Sequence, residues 1–448
     1  MAQGFGTGCT LDPALYRKAP LAPMLSRGEY EKLPERVSLR KYAPEPQNQG
    51  AYGTCVGWST AYAARTILMA IHQKWDNQTW ITENALSPFF IYEQAKPADD
   101  IYCQVGTSLY SALEIIKEKG TVRIREFSGQ CGQPITPQHS QKASKFRIKE
   151  YRRLFEEGQA NKLLAVKKAL AENRPVVIGM QCCTESFLEA KGIDYWQRPP
   201  GEEPPLNGGH ALTVIGYDDQ KNGGAIELMN SWGTAWGEDG FIWISYQDFE
   251  KYCFEAYEMY IEQAEETPLA GSLRFRLANG TDMASFLKET PNGAYYEMLK
   301  PYHSGTLFRL YVQNTQPAYV YAFSSDLTGK CYRIFPHREG ISGLLPYREN
   351  QVAIPDDYLY LQLDNQEGID FFCVLYSHEP LDFSRLLQKL DTMPGILPQK
   401  LPQALGTVHP SLPLATQVHY DEKGKIAFQA PASENQIIPL IVAIRHLK

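Results

Sequence analysis

From Cys55 to about Gln73 the chain has no proline, and no glycine after Gly57, and it carries alanine or a large apolar residue on nearly every helical face. A helix that is apolar almost all round has to be covered on every side. The fold is therefore expected to form around this segment. Two further helices follow at 108–120, with Leu109, Leu113 and Ile116 at helical spacing and Gly120 as the stop, and at 161–175, ended by Asn173 and Pro175. After Pro175 the pattern changes to strands: VVIGM, HALTVIGYDD, AIELMNSW, GFIWISY and AYEMYIEQ. Helices first and strands later within about 240 residues predict an α+β unit.

A chain of 448 residues exceeds what one ordinary core accommodates. The stretch EETPLA, 265–270, reads as a linker, and short β runs separated by turn residues follow it, from LRFRLA to the final IIPLIVAI. The expected layout is an extended lead-in over 1–32, an α+β domain over 33–265 and an all-β sandwich over 270–448. Within the last, DFSRLLQKL is expected to be helical, and the proline-rich region 394–413 to be a long covering loop.

Charge narrows the partners. The net charge of -7 gives no electrostatic reason to expect nucleic acid or an anionic membrane. No apolar run approaches the roughly 18–20 residues that span a bilayer. The first residues, MAQGFGTGCTLDP, have neither a basic n-region nor an apolar h-region. Ala-Gln after an initial Met also suits the mature start of an exported protein, so a periplasmic or extracellular location is expected, with the cytoplasm as the alternative. Nine cysteines, an odd number, leave at least one unpaired within the chain, and none has CxxC spacing or a matching histidine pair. No metal and no cofactor is expected. Cys182 and Cys183, next to VVIGM, read as packing residues.

Cys55 stands where the buried helix begins. Taken alone, a cysteine there is most simply a packed hydrophobe. A helix N-terminus, however, favours negative charge on sulfur, and a thiol has to ionise to act as a nucleophile. Such chemistry needs a base. His210 follows Asn207-Gly-Gly209 and opens the strand ALTVIGY, so it can be held at the edge of a cleft. Asn230 ends the strand AIELMN, where a hairpin return places its side-chain oxygen within reach of the imidazole, orienting the ring without adding charge. Gln49, six residues before Cys55, can donate to a tetrahedral oxyanion together with the Cys55 amide; one such donor is worth about 3–4 kcal/mol.

Three stretches, QGAYGTCVGWS, GGHALTVIGYDD and NSWGTAWGEDGFIWIS, in this order, resemble the papain-like cysteine peptidases over about residues 33–263. The resemblance implies a two-lobed fold with a helical and a barrel-like lobe, Cys55 as nucleophile, His210 as general base and acid, Asn230 as its orienting partner and Gln49 as oxyanion donor. It also implies that Trp232 shields the histidine–asparagine bond, that CQVGTSLYSAL pairs with an extended polypeptide substrate through Gly106 and Thr107, and that Gly209 contacts substrate. The subsite that sets side-chain preference is expected around Leu109, Met180 and Tyr246. Two positions depart from the family. Tyr52 stands where a disulfide cysteine is usual and Val56 where a bulky aromatic is usual, so Cys103 is free or paired elsewhere. The 32 residues upstream are too short for the family's helical inhibitory pro-region, so a longer precursor or another restraint is expected. The β region resembles a bacterial accessory domain of uncharacterised function, which implies recognition of a protein or glycan partner. Peptide hydrolysis through an acyl-enzyme is the expected activity; a silent scaffold with the same fold, or acyl transfer through the same residues, are the alternatives.

Overall fold

The computed structural model describes residues 5–129, 131–203, 209–261, 268–290, 293–415, 418–421, 424–431 and 436–448. The linker residues 265–267 and the Asn207-Gly208 pair expected to free the backbone before His210 lie outside these. The chain divides into two compact units, one of Met1–Leu21 with Leu33–Gln263, the other of Ala22–Lys32 with Ala264–Lys448.

In the first unit the buried helix starts at Cys55, widens to a π-helical register over Trp58–Arg65 and returns to α over Thr66–His72. All residues from Cys55 to Ala70 are buried, as the all-round apolar pattern requires. Gly57 is needed for packing. A Cβ there would lie 2.3 Å from the carbonyl oxygen of Pro88, so its absence lets the helix Pro88–Ala95 cross closely. The helix Leu109–Glu118 is capped by Ser108, whose Oγ accepts from the Ser111 amide, and stops at Gly120, held at φ +80°.

The strands form one sheet in the spatial order Glu150–Arg153, Cys253–Tyr260, Val176–Met180, His210–Asp218, Ala225–Met229, Phe241–Ser245, Tyr195–Trp196, and Arg36–Ser38 also pairs with His210–Asp218. The strand that begins at His210 is thus central. Its antiparallel neighbours hold Met180 opposite His210 and Gly179 opposite Ala211. Gly179 is in turn opposite Glu255 on the far side. Residues directly opposite in antiparallel strands share a face, so Ala211, Gly179 and Glu255 form one row across the sheet.

The second unit is mostly strands in two sheets. One carries Gly368–Ser377 between Ile437–Leu447 and Ala318–Ser325, and the other carries Leu307–Asn314 between Asn350–Ile354 and Ala270–Leu277. Phe275 and Phe308 of the second sheet meet Phe372 of the first edge-on, at 5.6 and 5.5 Å between centroids.

Two expectations about secondary structure are corrected. Residues 394–413 do not form a covering loop throughout, because Leu397–Val408 is a helix. Pro398 sits in its first turn, where proline is tolerated, and Leu397, Leu401, Leu405 and Val408 make an apolar stripe, which outweighs Pro402 inside the helix. Nor is the lead-in wholly extended. Pro13–Lys18 is a helix capped by Asp12, and Arg27–Glu31 is a second short helix, packed in the other unit through Ser26 N to Gln351 O (2.8 Å) and Asn350 Nδ2 to Glu29 Oε2 (3.1 Å).

Candidate active site

Cys55 is the first residue of its helix and is wholly buried. Burial pushes its thiol up to about 12, although backbone amides of Ala211, Gly8 and Val56 donate toward the sulfur and pull the other way. His210, also wholly buried, has its imidazole pushed down to about 4 by burial, against the hydrogen bond with Asn230. Its Nε2 lies 2.7 Å from Asn230 Oδ1, and its Nδ1 has no hydrogen-bond partner. Asn230 Oδ1 also accepts from the Ser231 amide at 2.7 Å, which fixes the orientation of the carboxamide. Trp232 stacks on His210 with ring centroids 4.5 Å apart and 21° between planes, so water is kept from that side of the imidazole.

Gln49 is anchored by Ser231, in the loop after the strand Ala225–Met229. Its amide donates to Ser231 O (2.8 Å) and its Oε1 accepts from Ser231 Oγ. That arrangement turns Nε2 toward the cleft, where it donates to Tyr52 O at 2.7 Å and to Gly6 O at 3.0 Å.

Gly6 belongs to a segment that runs through the cleft. Cys9 N donates to Gly209 O (3.1 Å), Thr10 N to Thr107 O (2.9 Å), and Thr107 N to Gly8 O (2.9 Å). Gly6 O accepts from Trp232 Nε1 (3.1 Å) as well as from Gln49, and Phe5 stacks on Trp232 at 4.7 Å. Glycine is required twice along this path. A Cβ on Gly6 would lie 2.0 Å from Tyr52 O, and one on Gly8 2.2 Å from Gly53 O. Gly106, at φ +90°, makes the reciprocal allowance, since a Cβ there would lie 2.2 Å from Gly8 O.

Residues 5–10 therefore touch the expected substrate-contact positions Thr107, Gly209 and Trp232 and close over Gly106. The upstream residues were expected to be too short for a helical pro-region, with a longer precursor or another restraint left open. Residues 5–10 are extended and pair backbone to backbone with the residues around the cleft. The signal was present as GFGTGCT, whose alternating glycines allow close approach, but nothing in that run says what it approaches.

Leu109 and Met180 are fully buried, and Tyr246 is tied to Asp219 by a 2.6 Å hydrogen bond. A recess that holds side chains of the cleft segment is lined by Gly179, Gly209 and Glu255. Cys103, left unassigned by the sequence, is bonded to Cys131. The Cys103 carbonyl accepts from Gly53 N at 2.7 Å, which ties the loop before Cys55 to the loop before Gly106.

Comparison with known proteins identifies the family. The profile of the family described as Papain family cysteine protease matches residues 33–262, just over half of the chain. Cathepsin K of Mus musculus is 24% identical over 213 residues, 47% of this chain and 59% of that protein. Cathepsin L of Sarcophaga peregrina is 38% identical over 88 residues, 19% of this chain and 24% of that protein. The chain thus spans less than two thirds of the length of these relatives. Among solved structures, Xylellain, a cysteine protease from Xylella fastidiosa, is 20% identical with a TM-score of 0.47, covering 58% of this chain and 97% of that one. This chain belongs to the papain family of cysteine proteases.

Proposed function

We propose that the chain is a cysteine peptidase that hydrolyses peptide bonds through a thioester on Cys55, and that residues 5–12 hold it latent. The observation that carries this reading is the imidazole of His210. Asn230 binds its Nε2 and leaves Nδ1 without a partner, free to take a proton. With Cys55 at a helix N-terminus, opening the cleft re-solvates the pair and favours thiolate and imidazolium. The thiolate attacks the substrate carbonyl, the oxyanion takes the place that Gly6 O now holds on Gln49 Nε2, and His210 protonates the leaving amine. Water then cleaves the thioester with His210 as base.

While the segment is in place, both Gln49 amide hydrogens are engaged and the Gly8 backbone amide faces the sulfur. With those amide hydrogens taken, no donor of Gln49 is left for an oxyanion while the segment stays in place. The disulfide Cys103–Cys131 supports an oxidising location outside the cytoplasm. In the second unit, aromatic contacts between the two sheets support a sandwich, read here as a recognition module for a protein or glycan partner.

The same occupied cleft favours a second reading, a silent scaffold. The test uses Gly8→Ala, which cannot keep its place against Gly53 O and should expel the segment. An epoxide inhibitor is expected to label Cys55 in this variant much faster than in the parent, with peptide cleavage appearing in parallel and abolished by adding Cys55→Ala. A folded Gly8→Ala protein that neither labels nor cleaves would establish the scaffold.

A further inference from the structure

We propose that the second unit carries a hydrolytic site of its own, in which Ser304, His446 and Asp370 cleave carboxylic esters that have an apolar acyl group and a neutral or cationic alcohol. Segments far apart in the sequence meet there. Tyr302–His303 runs parallel to Ile437–Leu447 with Tyr302 opposite His446, and Gly368–Ser377 runs antiparallel to it with Gly368 opposite His446 and Asp370 opposite Ile444. Opposite residues of an antiparallel pair share a face, as do alternate residues of one strand, so Asp370, Gly368 and His446 stand together on one side of the sheet. Ser304 directly follows its short strand, and its amide donates to Leu447 O at 2.8 Å.

His446 Nε2 lies 3.0 Å from Ser304 Oγ, and His446 Nδ1 lies 3.0 Å from Asp370 Oδ2. The carboxylate holds the ring hydrogen on Nδ1 and so turns the Nε2 lone pair toward the hydroxyl, the order of groups that a serine nucleophile requires. The other acceptor within reach of the hydroxyl, Leu447 O, is farther away, at 3.4 Å. The imidazole is shut off from water and the Asp370 side chain nearly so, whereas Ser304 is half-buried. A further carboxylate, Asp364, stands 3.8 Å from Nδ1, and with Asp326 it sets negative charge around Asp370, which disfavours an anionic substrate.

Beside the hydroxyl there is room for a substrate carbonyl. Gly305 is held at φ +80°, and a Cβ there would have the exposed Gln362 Nε2 as its nearest neighbour, at 3.7 Å. A carbonyl laid over Gly305 turns its oxygen toward that carboxamide, which serves as oxyanion donor. The backbone amides of Ser304, Gly305 and Thr306 already donate to Leu447 O, Leu363 O and His303 O and do not add to it. One oxyanion donor fewer costs about 10²–10³ in rate, which confines the site to esters, whose alkoxide leaves more readily than an amine. Leu327, more than half exposed, would lie 2.8 Å through its Cδ1 from a Cβ on Gly368. It thus covers the glycine opposite His446 and offers an apolar wall to the acyl group. In the reaction Ser304 Oγ bonds to the ester carbon as its proton passes to His446 Nε2. The bond to the alcohol oxygen breaks, and the alkoxide takes that proton. Water, deprotonated by His446, then attacks the acyl-serine, releasing the acid and restoring the hydroxyl.

The test uses the full chain carrying Cys55→Ala, so that the thiol of the first unit contributes nothing and the outcome is independent of the peptidase reading. An alkyl fluorophosphonate is expected to modify Ser304, located by mass spectrometry of the digested protein, and the chain is expected to turn over p-nitrophenyl butyrate. Adding Ser304→Ala should abolish the labelling, and Ser304→Ala or His446→Gln should lower ester turnover by about a hundredfold or more. Asp370 is a positioning residue, acting through the imidazole. Asp370→Asn should lower kcat with KM unchanged, and Asp370→Glu should recover part of the loss. Thermal melting of each variant separates loss of the site from loss of the fold, and Ser304→Ala, at a half-buried position, keeps the test decisive if His446→Gln does not fold. A folded chain in which the fluorophosphonate leaves Ser304 unmodified, or whose ester turnover survives Ser304→Ala, overturns the inference and reduces the three groups to a clamp on the last strand.

Discussion

His210 sets the pH response of the first unit. Its folded value, pushed down to about 4, lies below its ordinary 6.5, because burial penalises the imidazolium. The stability linked to this group is therefore fully present above pH 6.5 and is lost as pH falls toward 4, amounting to about 3 kcal/mol at a single site. Glu255 acts in the opposite sense. With its carboxyl raised from 4.5 to about 8, its contribution is present below 4.5 and is lost as pH rises through 8. Comparing His210→Gln with the parent isolates the first effect. The parent's stability relative to the variant should fall by about 3 kcal/mol between pH 6.5 and 4, read from denaturant midpoints. A constant difference across that range would show that His210 is not buried in the neutral form. Asn230→Ala should leave the fold intact and reduce cleavage by the opened enzyme less than Cys55→Ala does, since it loosens the base rather than removing the nucleophile; equal loss in a peptide assay would make the amide as necessary as the thiol.

Among the elements, the strand Cys253–Tyr260 joins the recess to the edge of the sheet. It carries Glu255 toward Gly179, and three residues on it pairs Glu258 with Arg152 of the edge strand, both nearly inaccessible to water. Removing one partner of such a pair strands the other charge. Glu258→Ala should destabilise the first unit by about 3–5 kcal/mol, whereas the exposed pair Arg17–Glu157 should contribute under about 1 kcal/mol; chemical denaturation of both alanine variants checks the contrast. The helical elements were legible from pattern. Leu109, Leu113 and Ile116 lie buried along one helix, and Ser108 and Gly120 bound it, because caps and apolar spacing are local properties. Leu397–Val408 was misread as loop because proline content was weighed above the spacing of Leu397, Leu401 and Leu405, and an N-terminal proline does not oppose a helix.

On the scale of the whole molecule, the chain leaves the first unit after Leu21, contributes Ala22–Lys32 to the second, and returns at Leu33. Cutting at residue 270 therefore does not separate the units cleanly. Calorimetry should resolve two transitions, and Tyr376→Ala, which deletes a buried ring whose hydroxyl binds Gln313 O at 2.9 Å, should lower only one of them, by about 3–5 kcal/mol in stability. A single transition that shifts as a whole would show the two units to be coupled. Deleting 270–448 should leave cleavage of a small peptide by the opened enzyme intact, because every cleft residue named here belongs to the first unit.

The proposed triad residues, the helix that begins at Cys55, the strand that opens at His210 and the strand that ends just before Asn230 were legible in the sequence, since each depends on local pattern or on residue types that the proposed chemistry demands. The Cys103–Cys131 bond was not, because nine cysteines allow too many pairings and only spatial proximity selects one. Nor was the place of Glu255, which comes to lie opposite Gly179 only through the pairing of two strands far apart in the chain. The occupied cleft belongs to the same class. GFGTGCT states that a backbone can pass closely, but the surface it passes, built from Gln49, Thr107, Gly209 and Trp232, exists only once stretches of chain up to some two hundred residues apart have been folded together. Local propensity sets which groups are available. Long-range packing decides which of them meet, and here it laid residues 5–10 of the same chain across the cleft at Cys55.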